Sequence, residues 1–331
     1  MSNYRPGLEN AATFICGHPK SGTSLLLTLL DSHPQLVVYP EESSFFRRFA
    51  KQTSGLPIAE KARLAEELIL HIFKWNQDNP HPGQADYPDR DYSNVDHEQI
   101  CNDFSQFLDN FGNEYHHILS SAVIAYGEVS HQLGLNTLRW VEKTPYNEDF
   151  AEDIFSWWPD AKCIHIVRDP RDNFSSYRRK QPNWSPISFA RSWRQSIQRG
   201  WKNQQRYGDR RYLLIRYEDL VEEPEHTIGE IIKFLGIEDD PILRRPTRNG
   251  KPWEGNSMFG ERFEGVSRNP IGRYKSQLNQ DAIASLEARL FPEMNRLGYG
   301  LEYPVDVSVR LQWFVSRLRW TRQSLHSFLS E

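Results

Sequence analysis

Between Gly17 and Ser24 the chain reads Gly17-His18-Pro19-Lys20-Ser21-Gly22-Thr23-Ser24. Two glycines with four residues between them, then a Ser/Thr two places on, frame the ATP-binding phosphate loop G-x-x-x-x-G-K-[ST]. Here the lysine slot holds Thr23, and the lysine lies inside the loop as Lys20. Such a loop leads from a strand to a helix N-terminus, where open N–H groups and the helix dipole favour an anion. Gly17 and Gly22 let the backbone approach it, and Lys20, Ser21, Thr23 and Ser24 add side-chain donors. Charge-assisted hydrogen bonds contribute roughly 1.5–3 kcal/mol each, so a few of them hold a phosphate firmly. A magnesium-bound triphosphate requires lysine after the second glycine and an acid ending another apolar strand. The candidate for that acid, Asp169, follows an arginine. Lys20 is placed instead to reach an atom leaving a 5′-phosphate. That suits a donor with one phosphate at the loop and one group transferred from it.

A second motif is "IHIVRDPRDNFSSYRR", Ile164 to Arg179. A strand ends at Arg168, the Asp169-Pro170 step turns the chain, and a helix carries Ser176 two turns on. Ligands of open α/β sheets bind beyond the carboxyl ends of the strands, so Arg168 lies on the ligand edge and could share an anion with Ser176. The plainer alternative is a surface ion pair from Arg168 to Asp172.

At these stretches the sequence resembles the sulfotransferases that use 3′-phosphoadenosine 5′-phosphosulfate (PAPS). Their 5′-phosphosulfate loop, P-K-S-G-T-[ST], is matched by Pro19-Lys20-Ser21-Gly22-Thr23-Ser24, and their arginine with a serine eight residues later by Arg168 and Ser176. "WVEKTPYNEDF", "IRYEDL" and "IGRYKSQL" are similar to further landmarks of the family in the same order. The resemblance implies a PAPS-dependent sulfotransferase acting by in-line displacement, without a metal, on a hydroxyl or amine acceptor. It resembles the branch that modifies carbohydrates and proteins, in which a glutamate before two aromatics is the base. Glu42, in "YPEESSFF", stands in that register, and Glu41 beside it could raise its basicity as a like charge. Other members use a histidine, for which His71, His116 and His117 are available. The resemblance puts Lys143 near the transferred group, with an ion pair to Glu142 as the alternative. It offers Ser267, Arg268 and Arg273 as further ligands of the 3′-phosphate. The rival readings are a P-loop kinase and a non-catalytic scaffold that binds 3′-phosphoadenosine 5′-phosphate (PAP).

The elements that must position these residues follow from the apolar pattern. Ala12–Gly17, Leu36–Pro40, Leu138–Thr144, Ala161–Asp169 and Arg211–Leu220 are apolar without clean alternation, as in strands covered on both faces. Alternating with helical patterns, they predict an α/β fold: a P-loop-type parallel sheet of about five strands flanked by helices. The whole chain, 1–331, reads as one domain with a helical insert at about 51–134 and an amphipathic basic helix at about 305–329. That last helix is expected to pack on the body or on a second subunit, as in a homodimer. Asn94 is the cap candidate for a helix in the insert, and Thr247–Gly272 reads as a long polar loop. Trp184, Trp193 and Trp201 read as core rather than as a sugar platform.

Hydrophobic residues at 38% and charged residues at 25% suit a folded soluble protein, and a net charge of −4 argues against general affinity for nucleic acid. Cys16, Cys101 and Cys163 show no metal or disulfide spacing, and two of them read as buried strand residues. No stretch approaches the roughly 18 apolar residues that span a bilayer, and the first residues lack a signal-like run. These features give the expectation of a cytoplasmic protein. The acceptor stays open among carbohydrate, lipid, small metabolite and peptide hydroxyl.

Overall fold

In the computed structural model, residues 4–78, 90–112 and 114–303 are described. The C-terminal amphipathic helix expected at 305–329 lies outside them. The chain divides into two compact units, Met1–Arg168 with Gln198–Arg268, and Asp169–Ile197 with Asn269–Glu331.

The first unit is built on a parallel sheet of β1 (Ala12–Cys16), β2 (Leu36–Val38), β3 (Arg139–Lys143), β4 (Lys162–Val167) and β5 (Tyr212–Arg216). The order is β2-β3-β1-β4-β5, so the chain leaves β1 toward one edge and β4 toward the other. The carboxyl ends of β1 and β4 therefore form the switch point at which such sheets bind ligands. Each expected strand is present, and the apolar runs outlast the strands only where a turn or helix takes over. After β5, for instance, Tyr217–Glu222 is a helix. The β1 residues are all buried, with Phe14 in ring contact with Trp140 and Trp158. Both strand cysteines, Cys16 and Cys163, are buried and free, and Cys101 is free and half-buried.

Helices occupy most of the described residues between β2 and β3. Ile58–Ala65 and His71–Asp78 are joined by a π-helical turn, Glu66–Leu70. His97–Phe111 and His117–Val129 follow. The cap of His97–Phe111 is Asp96, whose carboxylate accepts from the Glu98 and Gln99 N–H groups, whereas Asn94 accepts from the Asn249 side chain. The polar stretch after residue 246 begins as a small hairpin, Thr247–Arg248 paired with Lys251–Pro252. Thr247 and Gly250 of the hairpin both bond the buried Asp31 carboxylate.

In the second unit, Pro170–Lys180 is a helix with Asp169 as its cap. Asp172 accepts from the Gly272 N–H at 2.7 Å and the Tyr274 N–H at 2.8 Å. Those bonds hold the "IGRYK" stretch, with Arg273 between them. Arg171 joins Asp169 to the fully buried Glu287 of the helix Gln280–Arg296. Trp193 is fully buried, as expected of a core residue.

Candidate active site

The loop after β1 is shaped by close contact with its neighbours. A Cβ on Gly17 would lie 2.5 Å from the Ile166 carbonyl oxygen on β4, and one on Gly22 would lie 2.4 Å from the Tyr217 ring. Both glycines have positive φ, 139° and 105°, so no other residue fits either position without moving the wall. Gly17 is gripped from the segment after β3. Its N–H donates to the buried Glu148 carboxylate at 2.9 Å, and its carbonyl accepts from the Tyr146 N–H at 3.1 Å.

The helix Thr23–Leu30 starts at Gly22 without a side-chain cap. By helix geometry the Thr23, Ser24 and Leu25 N–H groups point out of its N-terminus. Ser21, 1% exposed, has a buried hydroxyl with no hydrogen-bond partner among the described residues. Such a group is costly unless a ligand satisfies it. Glycine walls, an open helix start and an orphaned hydroxyl together fit the phosphate end of an anionic donor. Lys20 and Pro19 are half-buried on the same loop. From the end of β4, Arg168 donates to the Lys20 carbonyl at 3.3 Å, with its guanidinium 4.6 Å above the Tyr217 ring. Arg168, 6% exposed, is thus part of the loop's wall rather than a surface residue.

The second side-chain group stands beyond β2 and β3. Lys143 Nζ lies 2.7 Å from Glu42 Oε1, with the lysine side chain 6% exposed and the glutamate 47%. The lysine therefore pairs with Glu42, not with Glu142. The strand pleat sends Glu142 and Lys143 to opposite faces, which explains why neighbouring residues find separate partners. Glu142 accepts from Ser43, Thr144 and Asn147. Burial pushes its carboxyl up, against the pull of those donors.

Glu41 is equally engaged, with Arg90 at 2.8 Å, Arg248 at 2.7 Å and the Tyr92 hydroxyl at 2.5 Å. Its charge is compensated and does not confront Glu42 bare, contrary to the expectation that it would raise the basicity of its neighbour. Three non-glycine residues in the left-handed region cluster in these loops: Lys20 at φ 68°, Ser44 at 51° and Tyr146 at 69°. Strain held in place by surrounding bonds is common at functional sites.

The remaining expected residues divide among other places. Arg268 is exposed and donates to the Glu222 carbonyl at the end of the helix after β5, and Ser267 is half-buried. Ser176 is buried and Arg273 half-buried, both in the second unit. Ser176 lies one helical turn beyond Asp172, which grips the backbone on either side of Arg273. His116 packs on Trp157 and Trp158, and burial pushes its ring down to about 4. His117 bonds the Gly112 carbonyl, and His71 is exposed on its helix. Sequence reasoning missed Glu148, Tyr217 and Arg248. Glu148 and Tyr217 at least lay inside the stretches "WVEKTPYNEDF" and "IRYEDL" that carried the resemblance.

A phosphate loop at the switch point of a parallel sheet, flanked by an arginine and with a glutamate–lysine pair at the end of the neighbouring strand, defines a P-loop α/β protein with the groups for transfer from a phosphate donor. Among the described residues no cluster of His, Cys, Asp and Glu could hold a metal ion. The model of the sulfotransferase family matches residues 12–241, and the chain belongs to that family. PAPS is the co-substrate of the family, and sulfuryl transfer is its reaction. The kinase reading is thereby set aside.

The chain is 23% identical over 308 residues to protein-tyrosine sulfotransferase 2 of Gallus gallus, covering 89% of this chain and 71% of that protein. It is 23% identical over 296 residues to protein-tyrosine sulfotransferase A of Caenorhabditis elegans, covering 86% of this chain and 66% of that protein. Among solved structures, the sulfotransferase domain from the curacin biosynthetic pathway shares the fold. Its TM-score is 0.56 at 18% identity, covering 87% of this chain and 98% of that one.

The expectation of a cytoplasmic protein is corrected by these relatives, since protein-tyrosine sulfotransferases are Golgi-resident enzymes. The composition of a folded domain is the same on either side of a membrane, so it could not decide the compartment. Among the described residues no helix is long and apolar enough to cross a membrane.

Proposed function

We propose that this chain transfers the sulfuryl group of PAPS to the phenolic hydroxyl of a tyrosine in a peptide, with Glu42 as general base. The observation that carries the reading is the Lys143–Glu42 pair at 2.7 Å, beside the strand that delivers the phosphate loop. A carboxylate half in solvent and paired with a cation is a modest base. A phenol, with a pKa of about 10, gives up its proton more readily than a sugar alcohol does. The similarity to two protein-tyrosine sulfotransferases supports the same acceptor.

Bound at the loop, PAPS supplies an activated sulfuryl group on its 5′-phosphate. The Thr23 and Ser24 N–H groups and the Ser21 hydroxyl bind that phosphate. Arg168 and Ser176 are the proposed 3′-phosphate ligands, with Ser267, Arg268 and Arg273 as further candidates. Glu42 takes the phenolic proton as the acceptor oxygen forms its bond to sulfur. The bond from sulfur to the bridging oxygen breaks, and Lys20 stabilises the charge left on that oxygen. Lys143 orients Glu42 and offsets charge on the sulfate oxygens.

The test is incubation with PAPS and a tyrosine-containing peptide, read by mass spectrometry for a single added sulfate. Sulfate on tyrosine is expected, and its loss in Glu42→Gln. Sulfation of an oligosaccharide while the peptide stays unmodified would overturn the acceptor and leave the donor standing.

A further inference from the structure

We infer that Glu142 is a positioning residue for the transfer step, acting through Glu42 and Lys143. The inference rests on the base role proposed above for Glu42. Glu142 is 1% exposed at the end of β3. Three donors converge on its Oε1: the Ser43 N–H at 3.2 Å, the Ser43 hydroxyl at 2.8 Å and the Thr144 hydroxyl at 2.6 Å. Asn147 Nδ2 donates to Oε2 at 2.8 Å. The Ser43 N–H and the Asn147 amide can only donate, so each oxygen of the Glu142 carboxyl is held as an acceptor.

Ser43 follows Glu42 directly, and Thr144 follows Lys143. One buried carboxylate thus fixes the residue after each member of the Lys143–Glu42 pair. The Thr144 hydroxyl also accepts from the Ser44 N–H at 3.1 Å, which ties in the strained Ser44 backbone. On the other side of Glu42, Glu41 is held by Arg90, Arg248 and Tyr92. Glu42 therefore projects into solvent from a backbone pinned on both sides.

Stability alone is a weak reason for such a group, because a buried charge is often no more stabilising than well-packed apolar side chains. Orientation is a stronger one, since a displacement of about 1 Å in reacting groups can cost ~100-fold in rate. Glutamine at 142 offers one acceptor oxygen instead of two, and its amide would face the Asn147 donor. The pinning of Ser43 or of Asn147 is then lost.

The decisive experiment is a double-mutant cycle with Glu142→Gln and Glu42→Gln, read as kcat and KM for PAPS with a tyrosine peptide. PAP affinity and the melting temperature are measured alongside. Glu142→Gln alone is expected to lower kcat ~10–100-fold with KM for PAPS and PAP affinity little changed. Added to Glu42→Gln it should cost clearly less than it does alone, the remainder acting through Lys143, because residues acting as a unit are non-additive. Thr144→Val and Ser43→Ala each remove one donor to Oε1, and should give smaller kcat losses in proteins that melt normally. Losses that multiply in the double variant, or wild-type kcat in both Glu142→Gln and Thr144→Val, overturn the positioning role. Wild-type kcat in Glu42→Gln alone overturns instead the base role on which it rests.

Discussion

The loops after β1 and β2 are both anchored on the segment after β3 and are held in place by different means. The first loop is fixed by close approach: Gly17 against the Ile166 carbonyl, Gly22 against the Tyr217 ring, and backbone bonds from Gly17 to Tyr146 and Glu148. It leaves polar groups open toward a ligand, among them the Ser21 hydroxyl. The second loop, Tyr39 to Ser44, is fixed by buried ions and hydroxyls, with Glu41 between two arginines and Ser43 on Glu142. It leaves one carboxylate, Glu42, half in solvent on a lysine. A site that binds an anion needs a concave backbone, and one that removes a proton needs a single aimed side chain. The two loops meet these separate demands with separate chemistry.

That contrast is broken most severely at Glu42. Glu42→Gln should lower kcat by ~10²–10⁴ while PAP affinity and the melting temperature stay near wild type. A parallel fall in PAP affinity would mean that the second loop serves the donor as well. Gly17→Ala should do the converse and weaken PAP binding by on the order of 3 kcal/mol in calorimetry. The added Cβ meets a backbone carbonyl that cannot swing away. Unchanged PAP binding would show that the first loop tolerates a wider backbone than its walls imply.

Arg248→Ala strips one cation from Glu41 and a donor from the Pro40 carbonyl. A loss of about 1–3 kcal/mol in chemical unfolding is expected, with kcat falling more than PAP affinity. A smaller and cleaner test concerns the floor of the first loop. Burial pushes the His165 ring on β4 down to about 3, with its Nδ1 2.8 Å from the Tyr212 hydroxyl. A depressed folded value means that the unfolded chain binds the proton first. Stability is then complete above about pH 6.5 and falls as pH drops toward 3, by at most about 1.4 kcal/mol per pH unit. His165→Gln should flatten that part of the unfolding curve, and an unaltered slope would assign the acid loss to other groups.

The same contrast explains what could be read ahead of the structure. The first loop was legible because its requirements are local: glycine spacing, donors between the glycines and an apolar strand before them. The five strands were legible for a similar reason, since burial on both faces leaves continuous apolar runs. Glu42 and Lys143 entered through resemblance alone, and nothing in "YPEESSFF" told which of the two acids would be buried. That choice is made by Arg90, Arg248 and Glu142, which lie 49, 207 and 99 positions from their partners. Asn94 was misread as a cap for a related reason. Asp96 was closer to the helix start, and the Asn249 side chain of a distant hairpin claimed Asn94.

The most direct test of the whole reading is a calorimetric titration with PAP, adenosine 5′-phosphate and ATP with magnesium, on wild type and Arg168→Ala. The expected result is binding that needs the 3′-phosphate and is lost with Arg168. Equal binding of adenosine 5′-phosphate, or a preference for ATP with magnesium, would contradict both the role given to Arg168 and the donor that the site is built to hold.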